Sequence, residues 1–201
     1  WLLNKGYKLY HIVDGQQRLT TFSIFVHEIL SFVKSLHPDQ SESEIYFCDS
    51  SLKEIQEKYI SKKRPPSFVI TTFFFGYETG NPSSDYLVHK VYDEPDGGTI
   101  SESFYTKNLL AAKNFFANNI KLVYEKNGIK EIESLFTKLT QQLKFNIHDI
   151  DSDYDVFVAF ETMNNRGKRL TNLELLKNRL IYLTTLFNSD VVDDAERAQV
   201  R

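Results

Sequence analysis

From Gln16 to about Leu36, apolar residues fall at Leu19, Phe22, Val26, Ile29 and Val33. Steps of three and four place these side chains on one face of an α-helix, so the spacing predicts an amphipathic helix with one buried side. The stretch from Tyr105 to about Glu125 repeats the pattern with Leu109, Ala112, Phe116, Ile120 and Val123. Two long helices that each need an apolar surface to pack on commit the chain to a layered, helix-rich core. Asn127-Gly128 reads as a left-handed cap closing the second helix, and Ile132 to Leu139 as a further helix.

Strand signals are fewer. KLYHI, just before the first helix, is aromatic and β-branched, and SFVITTFFF (Ser67 to Phe75) reads as a buried strand. QLKFNIHDI, Gln142 to Ile150, alternates well enough for a third. The polar run His37 to Glu44 breaks the first helix, and the segment from there to KKRPP (Lys62 to Pro66) is ambiguous. GYETGNPSSD and DEPDGGTIS are loops, and Asp153 to Met163 and Asn172 to Phe187 are two helices flanking NNRGKRL. The expectation is a helix-rich α+β fold with a small mixed sheet: residues 1–104 as an α/β part and 105–201 as a helical part, both within one continuous domain.

The 201 residues, 41% hydrophobic and 14% aromatic, suffice for one substantial core. A net charge of −3, from 24 basic against 27 acidic residues, excludes a protein that coats nucleic acid, so any DNA contact needs a local patch. The single cysteine, Cys48, excludes an intrachain disulfide and a cysteine metal cluster, which favours a reducing, cytoplasmic setting. No apolar run reaches the roughly 20 residues of a membrane span. A Trp at position 1 and the abrupt tail DDAERAQVR read as the interior of a longer protein.

Two stretches carry chemistry. The first is DGQQR, Asp14 to Arg18, at the junction of the expected strand and helix. A helix N-terminus presents unpaired N–H groups and partial positive charge, and a glycine there admits a phosphate closely. Arg18 adds a bidentate donor suited to phosphate oxygens. Gln16 and Gln17 can hold a phosphate oxygen or orient a water, whereas Asp14 would repel phosphate unless it holds a metal ion or acts on water or a sugar hydroxyl. The alternative is structural: Asp14 caps the helix and Arg18 makes a surface salt bridge. Neither G-x-x-x-x-G-K-[ST] nor G-x-G-x-x-G occurs in the chain.

The second stretch is FETMNNRGKRLTNLELLKNRL, Phe160 to Leu180. Asn165 and Gly167 suit a helix C-terminus, and Thr171 with Glu174 forms a capping box for a helix whose core side is Leu173, Leu176, Leu180 and Leu183. The loop gathers Asn164, Asn165, Arg166, Lys168 and Arg169, with Lys177 and Asn178 following. An ordinary αα-hairpin with a solvated basic loop competes with this anion-binding reading. A DNA-reading helix-turn-helix fits less well, because LELL opens the second helix with core-type residues.

Together, HIVDGQQRLTTF and FETMNNRGKRLTNLELLKN resemble the signature pair of the GmrSD restriction endonuclease N-terminal domain family, which is similar to the ParB and sulfiredoxin fold. The first motif matches without substitution. The pattern F-E-x-x-N-x-x-G-x-x-L-x-x-x-[DE]-L-x-K-N is met by Phe160, Glu161, Asn164, Gly167, Leu170, Glu174, Leu175, Lys177 and Asn178. The resemblance implies a ParB/sulfiredoxin-like part over residues 1–104, truncated at its N-terminus. It implies an NTP-binding and NTP-hydrolysing sensor module of a modification-dependent restriction or phage-defence nuclease system, with Mg²⁺ as the ion. Carried over, Asp14, Gln17 and Arg18 are catalytic, and Asp14 also meets the metal. Gly15, Gln16, Arg18, Asn164, Arg166 and Lys177 bind the nucleotide, with Lys168 nearby.

The implied partners are a nucleoside triphosphate, DNA that carries a modification, and a nuclease domain or subunit outside this chain; no membrane is implied. The chain departs from the family by lacking the upstream aromatic and arginine motif and the C-terminal HNH nuclease domain that many members carry. His11, His27, His37, His89 and His148 are scattered, so no DNA cleavage is expected from this chain alone. A nucleotide-gated DNA-binding regulatory module without turnover, or an inactive truncated fragment, are the alternative expectations.

Three smaller features have plain readings. HDIDSDYD, from His148 to Asp155, offers metal-ligand types but lacks the calcium-loop glycine, and it fits a solvated acidic loop. Lys62, Lys63 and Arg64 fit a solvated loop. Cys48 has no basic neighbour in sequence and fits a packing role.

Overall fold

The computed structural model describes residues 9–12, 14–63, 71–77, 81–95, 100, 102–150, 171–173, 176–177 and 180. The chain forms two compact units, one from Trp1–Leu9 and Gln16–Phe145, the other from Tyr10–Gly15 and Asn146–Arg201.

The first unit is organised around α1 (Gln16–Ser35). Its predicted face is buried at Val26, Ile29 and Val33, but Ile24, Leu30, Ser23, His27 and Glu28 are buried too. The helix is therefore sheathed on several sides, with its first turn, Thr21, Ser31 and its C-terminal end exposed. Along it lies α4 (Phe104–Asn127). Phe25 stacks on Phe116 with ring centroids 4.7 Å apart, and Phe32 meets Tyr124 edge-on at 5.1 Å. A capping box opens α4: the Thr106 amide donates to Ser103 Oγ at 3.2 Å, and the Ser103 amide to Thr106 Oγ1 at 2.7 Å. Gly128 closes it with its N–H on the Tyr124 carbonyl at 2.8 Å. Its φ of 76° has the expected sign, but ψ of −175° is extended rather than helical. The chain can thus turn straight into α5 (Ile129–Thr137), which buries Ile132 and Phe136 and runs on as a π-helical turn, Lys138–Gln142.

The ambiguous segment resolves into a hairpin and a helix. β1 (Tyr46–Phe47) pairs antiparallel with β2 (Ser50–Ser51), and α2 (Leu52–Tyr59) follows directly. Ser51 ends the strand and caps the helix, its Oγ accepting from the Glu54 amide at 3.2 Å while its own amide donates to Glu54 Oε2 at 2.8 Å. β3 (Ser61–Lys63) pairs antiparallel with β4 (Thr71–Phe73), Ser61 opposite Phe73. Asn81 caps the short α3 (Pro82–Tyr86), which passes into a π-helical turn, Leu87–Val91. The fold is helix-rich α+β, as expected, with two separate two-stranded ladders among the described residues.

Three strand expectations need correction. Leu9 to Ile12, the end of KLYHI, has no strand pairing, and Leu9 is 71% and Tyr10 64% exposed. SFVITTFFF contributes only Thr71–Phe73 among its described residues, half-buried rather than buried. Leu143 to Ile150 forms no strand, and Ile147 is 80% exposed. SFVITTFFF does hold a strand, β4, with β3 as its neighbour; in the other two cases β-propensity marked side chains that fit a pleated surface, but a strand also needs a neighbour to complete its ladder. Among the described residues, no helix is long and apolar enough to cross a membrane.

Candidate functional site

In the second unit, Asp14 and Gly15 make a tight turn. Asp14 Oδ1 accepts the Gly15 N–H at 2.7 Å, and Gly15 has φ of 90°, a conformation that strains any residue with a Cβ. That geometry accounts for the glycine in DGQQR. In the first unit, Gln16, Gln17 and Arg18 form the first turn of α1, and all three side chains are exposed. The first turn holds no acidic residue, so its own side chains leave the positive end of the helix dipole uncompensated. One turn on, Thr20 Oγ1 donates to the Gln16 carbonyl and Thr21 Oγ1 to the Gln17 carbonyl, each at 2.8 Å. Thr20 is buried and Ser23 follows it into the core, so the exposed turn stands on a fixed base.

In the first unit, the first turn of α1 offers backbone N–H groups, a guanidinium and two amides, donors for a polyanion; in the second, Asp14 offers a carboxylate, a hard oxygen ligand. Of the second motif, Asn164 and Arg166 lie outside the described residues, as do Glu161, Gly167, Lys168 and Glu174. Lys177 is helical and exposed in the second unit, as are Asn172 and Leu173 right after Thr171. The expected core side of this helix is corrected: Leu173 is 76% exposed, Leu176 55% and Leu180 47%. Spacing by three and four defines a face and does not supply what covers it.

Among the described residues, no group of three or more His, Cys, Asp or Glu side chains could hold a metal ion. His148 and Asp149 are exposed, and 151–155 lie outside the described residues. Lys62 and Lys63 are exposed on β3. Cys48 is half-buried with its thiol toward the Glu133 carbonyl at 3.8 Å. Burial, followed by the Glu133 carboxylate, pushes that thiol above its ordinary value, as suits a packing residue rather than a nucleophile.

Sequence reasoning missed a buried polar cluster on the inner side of α1. Ser23 Oγ and Tyr92 Oη share a hydrogen bond of 2.5 Å, and one turn on His27 Nδ1 lies 3.1 Å from Glu28 Oε1. Burial pushes the Tyr92 phenol up to about 12, although the Ser23 hydroxyl pulls it back. His27 and Tyr92 also border a cleft of about 400 Å³ between α1, α2 and β3 that includes none of Gln16, Gln17 and Arg18. The signal was present in the sequence, since Ser23 and His27 interrupt the apolar residues of α1 at a spacing of four.

The sequence model of the family described as GmrSD restriction endonuclease, N-terminal domain, matches residues 2–181. No curated protein and no solved structure matches the chain. With nearly the whole chain matched, from the residues before DGQQR to those after Lys177, this protein belongs to the GmrSD restriction endonuclease N-terminal domain family.

Proposed function

We propose that the chain binds and hydrolyses a nucleoside triphosphate through the DGQQR turn, as the sensor module of a restriction or phage-defence nuclease system. Family membership ties the chain to restriction endonuclease systems. The nucleotide reading rests on the first turn of α1, where Arg18 stands exposed at a helix N-terminus that carries no acid in that turn. Such an end attracts phosphate through its N–H groups and dipole, and the guanidinium adds charge-assisted hydrogen bonds.

In this reading Arg18 holds the terminal phosphates and Gln16 a phosphate oxygen. Gln17 orients the attacking water, and Gly15 lets the backbone close on the anion without a Cβ in the way. Asn164, Arg166 and Lys177 add donors from the second motif. Asp14 is the one carboxylate of the turn, which fits the way Mg²⁺ is commonly held, by one or two carboxylates with substrate phosphates and waters completing the shell. Bound there, Mg²⁺ would neutralise phosphate charge; modified DNA would supply the signal, and a separate nuclease domain or subunit would receive it.

Nucleotide titration by calorimetry tests the binding half. Arg18→Ala should weaken binding at least 10-fold, about 1.4 kcal/mol or more, in a comparison made at matched thermal stability. Unchanged affinity removes the phosphate role from Arg18. Tight binding that releases no phosphate supports a nucleotide-gated regulatory module without turnover instead.

A further inference from the structure

The outer face of α4 is apolar. Phe104 is 77% exposed, Phe115 60% and Leu122 61%, and Ala111 between them is exposed as well. These residues stand at intervals of seven, four and seven. At 3.6 residues per turn they fall within about 20° of one line, opposite the side that buries Leu109 and Ile120. The line is palindromic about residue 113. An antiparallel twofold through that level sets Phe104 against Leu122 and Phe115 against Ala111, large side chain against small at the centre. On one flank it brings Asn108 beside the partner copy's Asn119 and on the other Lys107 beside the partner copy's Asn118, so no like charges face each other. The side chain at the centre of symmetry, Lys113, is engaged on the inner side, its ammonium on Asp93 at 2.6 Å and on the Val91 carbonyl at 3.0 Å.

From this arrangement we infer that α4 is the interface of a homodimer, in which two copies of the chain pack this face antiparallel about a twofold axis at residue 113. Phe104, Phe115 and Leu122 leave roughly 450 Å² of exposed surface, the size at which an apolar patch on a monomer is often functional. Asn108, Ala111, Asn118 and Asn119, all exposed, lie between and beside them, so the strip is continuous along about 27 Å of α4. The rim of the strip adjoins a groove of about 460 Å³ whose walls include Phe32, Leu36, Ala117, Lys121 and Tyr124. The twofold brings the partner copy's Phe104 to the end of α4 that borders this groove.

Light scattering behind size exclusion at about 50 μM tests the proposal. The chain should elute at about 47 kDa, twice its 23.5 kDa. Phe115→Glu, a change at an exposed position, should elute as the monomer with an unchanged far-ultraviolet circular dichroism spectrum. Register is read by disulfide trapping in a Cys48→Ser background. A mixture of Ala111→Cys and Phe115→Cys chains should oxidise to a covalent dimer, whereas a mixture of Ala111→Cys and Leu122→Cys chains should not. A wild-type chain that stays at monomer mass, with the strip then covered by another segment or protein, overturns the inference. So does a dimer that survives Phe115→Glu, or equal trapping of both mixtures.

Discussion

Removing the Tyr92 hydroxyl should destabilise the first unit by a predictable amount and change its response to alkali. Tyr92 Oη and Ser23 Oγ lie 2.5 Å apart, with Tyr92 6% and Ser23 3% exposed, so neither can replace the other with bulk water. Tyr92→Phe keeps the ring, stacked on Phe73 with centroids 5.3 Å apart, and strands the Ser23 hydroxyl. The cost of a buried group left without its partner is about 1–3 kcal/mol. Ser23→Ala strands the phenol at a similar cost. The double variant removes both polar groups and should cost less than the sum of the singles by about 1 kcal/mol or more.

The phenol is pushed up to about 12, against an ordinary value of 10.0, so the folded chain keeps a proton that the unfolded chain releases between those values. The stabilisation is therefore complete below about pH 10 and is lost as pH rises toward 12, a difference of about 3 kcal/mol for a shift of that size. Urea unfolding followed by far-ultraviolet circular dichroism, at pH 8 and at pH 11, measures both effects. In Tyr92→Phe the decline in stability between those values should be smaller than in the parent. Strict additivity of the two substitutions, or an alkaline decline that Tyr92→Phe leaves untouched, would refute the buried bond.

Three further outcomes follow from local geometry and from the proposed division of labour. Ser51→Ala removes the cap of α2 and should cost about 1 kcal/mol in urea unfolding. The Ser51 amide, then its hydroxyl, hold the Glu54 carboxyl below its ordinary value, so the parent should lose this contribution as pH falls through that lowered value, and the variant, which keeps the amide but not the hydroxyl, should lose a smaller one. In the β1–β2 turn Cys48 and Asp49 have φ of 48° and 66°, so Asp49→Gly should be stabilising by about 0.5 kcal/mol, read as a raised thermal midpoint. Plasmid DNA, modified or unmodified, should remain supercoiled after incubation with the purified chain in Mg²⁺ or Mn²⁺, and nicked circles on a gel would contradict the assignment of cleavage to a separate nuclease.

How far the fold could be read from sequence depended on whether a signal was local. The periodicity of α1 and α4 and the positive φ at Gly128 lie in neighbouring residues and are visible there. The Ser51–Glu54 capping box was equally local, and noticing it would have located α2 inside the ambiguous segment. Leu143, Phe145 and Ile147 alternate like a strand, yet a ladder depends on a distant neighbour that alternation does not specify. The same holds for Leu173, Leu176 and Leu180, whose spacing defines a face without a cover. The DGQQR turn was legible because Asp14 to Arg18 are contiguous and Gly15 answers a backbone need. The Ser23–Tyr92 bond joins residues far apart in the chain, and only the fold brings them together.

The most direct test of the nucleotide-hydrolysis proposal is phosphate release from each of the four nucleoside triphosphates with Mg²⁺, comparing the chain with Asp14→Ala and Arg18→Ala at matched thermal stability. The account predicts release from at least one nucleotide that falls at least 100-fold in both variants, about 2.7 kcal/mol of lost transition-state stabilisation. Release that persists in both variants, or none above their level in the parent chain, would contradict it.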